Sequence, residues 1–163
     1  GSLLAALVGK LIFITIVMAV MVQLILVVLV VVMGMNIVGS YLFLTLSSLV
    51  FIVAYQSVAL FIVAATANLR LALSLGGGYA VMAFTFSGIT FPVTAMYGAI
   101  QPIAKLFPLG YFSEIFIDQM MLGVPIIYDI PKLGSLLIFL LLPLFLWRRL
   151  RRIMFDSNYW NRG

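Results

Sequence analysis

Between Lys10 and Arg70 the chain carries no charged side chain, and between Arg70 and Lys105 it again carries none. A soluble fold needs polar groups to cover its surface, and ordinary globular chains supply roughly 25% charged residues. Here charged residues are 8% of 163 and hydrophobic ones 66%, which excludes a water-soluble fold. A helix crosses a hydrocarbon core of ~30 Å with about 20 apolar residues. Residues 11–69 are too long for one crossing and suit two, whereas 71–104 suit one crossing plus further structure beyond it. A last apolar run at about 133–147 is short, but Trp147 and snorkelling arginines extend it. The expectation is an all-α polytopic membrane helix bundle: one transmembrane domain over 1–163, with four transmembrane helices plus short re-entrant or interfacial helices.

The predicted helices run about 9–33, 41–68, 72–91 and 133–150. Gly34 to Ser40 form the first turn, with Gly and Asn supplying a permissive backbone. Residues 93–131 form an external re-entrant segment, rich in proline and less uniformly apolar. Within it, Tyr111 to Leu122 read as a helix too short to span, with Glu114 and Asp118 on one face. Four crossings put Lys10, Arg70 and the Arg148–Arg152 cluster on one side, which the positive-inside bias makes cytoplasmic. Three of the four acids, Glu114, Asp118 and Asp129, then lie on the other side. The net charge of +5 is no nucleic-acid signal, because four of the nine basic residues sit directly after a spanning segment and read as an anchor at anionic headgroups. Gly1-Ser2 is not a natural initiation, and the sequence reads as a piece of a longer protein.

Without cysteine or histidine, thiolate chemistry, His-ligated metals and imidazole general-base catalysis are all excluded. No Asp pair at membrane depth or activated nucleophile offers itself to an intramembrane hydrolase. Gln23 and Gln56 lie near the middle of the first two predicted helices, with Tyr55 and Ser57 flanking the second glutamine. They read either as interhelical hydrogen bonds, worth ~0.6–2 kcal/mol each, or as the polar lining of a translocation path. Gly76, Gly77, Gly78, Ala80, Ala83 and Ser87 give the third predicted helix a small-residue face suited to packing or dimerisation. The three glycines lack the lysine and Ser/Thr of a phosphate loop. Glu114 and Asp118, four apart, read as a solvated like-charge pair or as a lure for a cation or basic group at an external gate.

The run Ser87-Gly88-Ile89-Thr90-Phe91-Pro92-Val93-Thr94-Ala95-Met96 resembles the SG-x-x-FP-x-x-x-M stretch of bacterial type-2 ABC (ATP-binding-cassette) exporter permeases. The likeness continues through Gln101, Phe107-Pro108-Leu109-Gly110-Tyr111-Phe112, Glu114 and Gly123, which are similar to that family's external re-entrant helices. Upstream, Gly9-Lys10-Leu11 and Ala67-Asn68-Leu69-Arg70 resemble the start of its third membrane helix and the end of its fourth. Tyr97 departs from the family, which often has proline there. The resemblance implies the C-terminal half of a permease, membrane helices three to six, in the bacterial inner membrane with a cytoplasmic C-terminus. It also implies outward transport driven by a separate cytoplasmic ABC ATPase, and pairing with a second permease copy or paralogue. ATP then binds the partner subunit, leaving this chain without a cofactor, metal or catalytic role. By the same matching Phe91, Pro92, Tyr111, Phe112 and Glu114 belong to an external gate, with Asp118 beside them. A scaffold or assembly subunit without transport is the competing reading.

Overall fold

The computed structural model describes residues 2–87, 95 and 97–155. They form helices joined by short turns, with no strand among the described residues. α1 covers Ser2–Val27 and continues through a π-helical turn, Val28–Val32, ahead of a loop with Gly34 at φ 69°. α2 (Tyr41–Thr66) begins where the Ser40 hydroxyl accepts from Phe43 N–H at 3.2 Å, satisfying one of the orphan donors of the first turn. It ends at Ala67, whose left-handed backbone sends its N–H to Val63 O at 3.0 Å. Asn68 then caps α3 (Leu69–Phe86), its side chain accepting from Leu71 N–H at 3.2 Å. The chain continues through α4 (Gln101–Ala104), α5 (Pro108–Ile117) and a π-helical turn, Asp118–Leu122. It closes with α6 (Ile126–Phe139), α7 (Leu142–Phe145) and α8 (Trp147–Phe155).

Among the described residues four segments are long and apolar enough to cross a membrane: Leu4–Val32, Tyr41–Thr66, Leu69–Phe86 and Ile126–Phe145. The all-α polytopic bundle expected from the charge-free runs is therefore the observed architecture. α2 is its hub, packing against α1, α3, α5, α6, α7 and α8. Arg70 and the α8 arginines mark a basic end, and the Gly34–Ser40 loop, the turn after α5 and the start of α6 mark the opposite, loop end.

The helix boundaries differ from the sequence reading chiefly at the start of α1 and along the last span. α1 starts at Ser2 rather than near 9, because Lys10 rides the helix exposed instead of lying ahead of it. The last span begins at Ile126 rather than near 133, and contains Pro131, Asp129 and Lys132. Lys132 can sit inside the helix because acids compensate its charge, as described below. That span is not continuous to 150. Pro143 has no N–H for the Phe139 carbonyl, and the chain tightens into i→i−3 bonds, Leu140 N–H to Leu137 O at 3.1 Å and Leu141 N–H to Ile138 O at 3.0 Å.

Residues 97–122 fold back among the helices of the bundle. Phe112 of α5 stacks on Phe51 with ring centroids 4.5 Å apart, and Phe51 lies ~15 Å along α2 from Tyr41 at 1.5 Å rise per residue. Leu109 reaches deeper, into the groove beside Tyr55, and Tyr79 of α3 donates to Leu106 O at 2.8 Å. The tip at Phe107–Leu109 thus sits at mid-depth of the bundle, and α5 climbs back to the loop end.

Candidate functional site

Around that tip the rings form a continuous ladder. From the loop end it runs Phe116–Phe112 (6.3 Å), Phe112–Phe51 (4.5 Å), Phe51–Tyr55 (5.0 Å) and Tyr55–Tyr79 (6.3 Å). It finishes with Tyr79–Phe107 (4.9 Å) and Phe107–Phe86 (6.3 Å). Every spacing falls in or near the range where aromatic pairs add stability beyond their buried area. The ladder crosses α5, α2, α3 and the re-entrant tip, so the helices close on one another through large apolar rings.

At the rim lies a polar cluster. Gln119 is fully buried, and its side chain uses both ends. Oε1 accepts from Ser40 N–H at 2.9 Å, while Nε2 donates to Val124 O at 3.0 Å and to Asp129 Oδ2 at 2.6 Å. Its backbone carbonyl accepts from Gly39 N–H at 2.7 Å. Asp129, also fully buried, accepts at Oδ1 from Lys132 Nζ at 3.1 Å. Lys132 also donates to Asp118 and lies 3.8 Å from the exposed Glu114 carboxylate. One connected network therefore ties the α1–α2 loop, the turn after α5 and the first turns of α6. Burial works to raise the Asp118 carboxyl, and the Lys132 ammonium together with the neighbouring Asp129 carboxyl outweighs it, holding that group below the ordinary carboxylate range.

The gate residues named from sequence are partly brought together here. Asp118 and Glu114 share Lys132, so they are not the merely solvated pair of the plainer reading; the basic group they draw in comes from their own chain. Phe112 belongs to the ladder and the core with Phe43, Ile115 and Leu136. Tyr111 donates to Lys105 O at 3.0 Å, and burial, then the Glu114 charge, raises its phenol above the ordinary range, keeping it a donor. Tyr111 and Glu114 line a cleft of about 390 Å³ with Gln101, Lys105 and Lys132. Phe91 and Pro92 lie outside the described residues.

The glutamines sit between α1 and α2. Gln56 Nε2 donates to Thr15 Oγ1 at 3.0 Å and to Leu11 O at 3.3 Å. Gln23 Nε2 donates to Thr45 Oγ1 at 3.3 Å, and its Oε1 accepts from the Tyr41 hydroxyl. Ser57 donates to Val53 O of its own helix at 2.9 Å. Of the four residues first considered for a path, only Tyr55 joins the ladder. Among the described residues nothing fills the small-residue face of α3 at Gly76, Gly77 or Gly78, where an added Cβ would meet nothing within 4 Å. Sequence reasoning did not single out Phe51, Tyr79, Gln119 or Lys132 as site residues.

A helical bundle with four segments able to cross a membrane, closed at mid-depth by an aromatic hairpin that folds back into it, defines a polytopic membrane protein. Residues 1–148 match the model of the ABC-2 family transporter proteins, while no curated protein and no solved structure matches. The chain belongs to the ABC-2 transporter family: it is a membrane permease of an ABC transporter, a transport component rather than an enzyme by itself.

Proposed function

We propose that this permease exports its substrate, driven by a separate cytoplasmic ABC ATPase that holds the ATP, and that it works paired with a second copy or a paralogue. Family membership over residues 1–148 is the observation that carries this reading. In the proposal the chain lies in a bacterial inner membrane with its basic end and C-terminus cytoplasmic, which the one-sided arginines support. The re-entrant hairpin then faces outward and closes the exit. Tyr55 and the rings around Phe112 line the closed path, Tyr111, Glu114 and Asp118 form its outer rim, and Phe91 and Pro92 complete the gate. Gln23 and Gln56 hold α1 to α2, a role their bonds support.

The decisive experiment is affinity isolation of the protein from its native membranes. The expected result is an ABC ATPase at near-equal stoichiometry, together with a change in helix packing when ATP is added. Recovery with membrane proteins alone, and no response to ATP, would make this an assembly subunit instead. Orientation has its own test, because the chain contains no cysteine. Val38→Cys and Arg149→Cys stand at exposed positions on opposite ends. An impermeant thiol reagent added to intact cells is expected to label the first and spare the second; the reverse pattern would invert the topology.

A further inference from the structure

We propose that α8 is a fixed binding site for anionic phospholipid headgroups, held in register with the bundle rather than trailing from it. Leu150 and Ile153 are 2% and 1% exposed, and the helix that carries them packs on α2 and α7. The Leu150 N–H bonds back to Leu146 O at 2.8 Å, tying α8 to the preceding turn. With that face buried, Arg148, Arg149, Arg151 and Arg152 are all exposed. They form two neighbouring pairs, 148/151 and 149/152, at the i,i+3 spacing where like charges repel unless an anion lies between them. Among the described residues every ion pair is at the loop end, around Lys132, and none neutralises these four guanidiniums.

Depth decides which anion. α2 carries no charge from Tyr41 to Thr66, and its 26 residues span ~39 Å, against ~30 Å of hydrocarbon. Its ends therefore reach headgroup level and little further. α8 packs against this helix and begins two residues after the last membrane-crossing segment ends at Phe145. Its arginines then lie at the level of lipid phosphates, which guanidinium groups engage bidentately. Trp147, 40% exposed at the start of α8, fits the aromatic belt of the same layer. A soluble partner would have to displace headgroups to reach the same groups. The inference stands whichever way the export reading falls.

Trp147 reports on the site directly. Trp160→Phe leaves it as the only tryptophan of the chain. The full chain is reconstituted in phosphatidylcholine vesicles containing either brominated phosphatidylglycerol or brominated phosphatidylcholine as a minor component. Quenching is expected to show phosphatidylglycerol enriched beside Trp147 on the order of fivefold or more, about what one surface arginine contributes. Replacing all four arginines by glutamine should bring the two lipids to parity. Arg70→Gln, at the same end but off this helix, should leave the enrichment unchanged. Equal quenching by both lipids in the wild type overturns the proposal, and that measurement decides even if the glutamine variant does not fold. Parity in the wild type, with the glutamine variant losing a co-purifying ATPase, would overturn it in favour of a protein interface.

Discussion

Lys132→Met is expected to destabilise the bundle by ~3 kcal/mol, the lower end of what removing one partner from a buried ion pair costs. The lower end applies because the lysine side chain is 26% exposed, whereas Asp129 is fully buried. Without the ammonium, Asp129 keeps only the Gln119 amide as a donor, and Asp118 and Glu114 lose the cation that separates them. Asp129 must then take up a proton or pull water into the rim. The measurement is thermal unfolding in detergent, repeated in a cycle with Asp129→Asn. The double variant should recover part of the loss, because the fully buried Asp129 charge is gone while Asp118 and Glu114 still lack their cation. Independent, additive effects would show that the two side chains do not act as a pair. The pH dependence follows from Asp118, whose folded pKa is depressed. Its contribution is fully present above the ordinary carboxylate value of about 4 and is lost as pH falls through the lower folded value. The wild type should therefore lose stability on acidification below about pH 4, and Lys132→Met should lose less, having less to give up.

Much of the fold could be read from where charges are missing. Two crossings in 11–69 follow from arithmetic on helix length, and the proline-rich stretch before the last span marked a segment that does not cross. The start of the last span was hidden because Asp129, Pro131 and Lys132 each argue against a membrane helix when taken singly. Their compatibility depends on Asp118 and Gln119, whose return to this point is a tertiary fact. The ladder was illegible for the same reason. Phe51, Tyr79 and Phe107 are unremarkable aromatics in apolar runs, and only the re-entrant tip brings them together. The glycines divide by surroundings: a Cβ added at Gly76, Gly77 or Gly78 would meet no atom within 4 Å among the described residues, which leaves that face open for a second chain, whereas Gly39, in an unassuming turn, is in close contact with Gln119.

That contact makes Gly39→Ala the second large effect. A Cβ added there would lie 2.8 Å from the Gln119 backbone oxygen and 3.0 Å from its Cα, distances that backbone cannot accommodate without moving. The loop must back away, and both bonds it makes to Gln119 go with it: Gly39 N–H to the backbone carbonyl at 2.7 Å and Ser40 N–H to Oε1 at 2.9 Å. At roughly 0.5–1.5 kcal/mol for each bond, plus the penalty for orphaning a buried acceptor, the loss is ~2–4 kcal/mol. Gly34→Ala is the control. It also replaces a loop glycine, at φ 69°, but meets no atom within 4 Å, so it carries only the cost of left-handed backbone, about 1–2 kcal/mol. Amide exchange separates the two mechanisms better than a melting curve. Gly39→Ala should speed exchange on both sides of the contact, over 34–40 and 118–124, because one network holds both segments. Gly34→Ala should disturb its own loop and leave the turn after α5 protected. If the two variants exchange alike, the rim is held by the ion pairs alone and Gln119 does not join the segments.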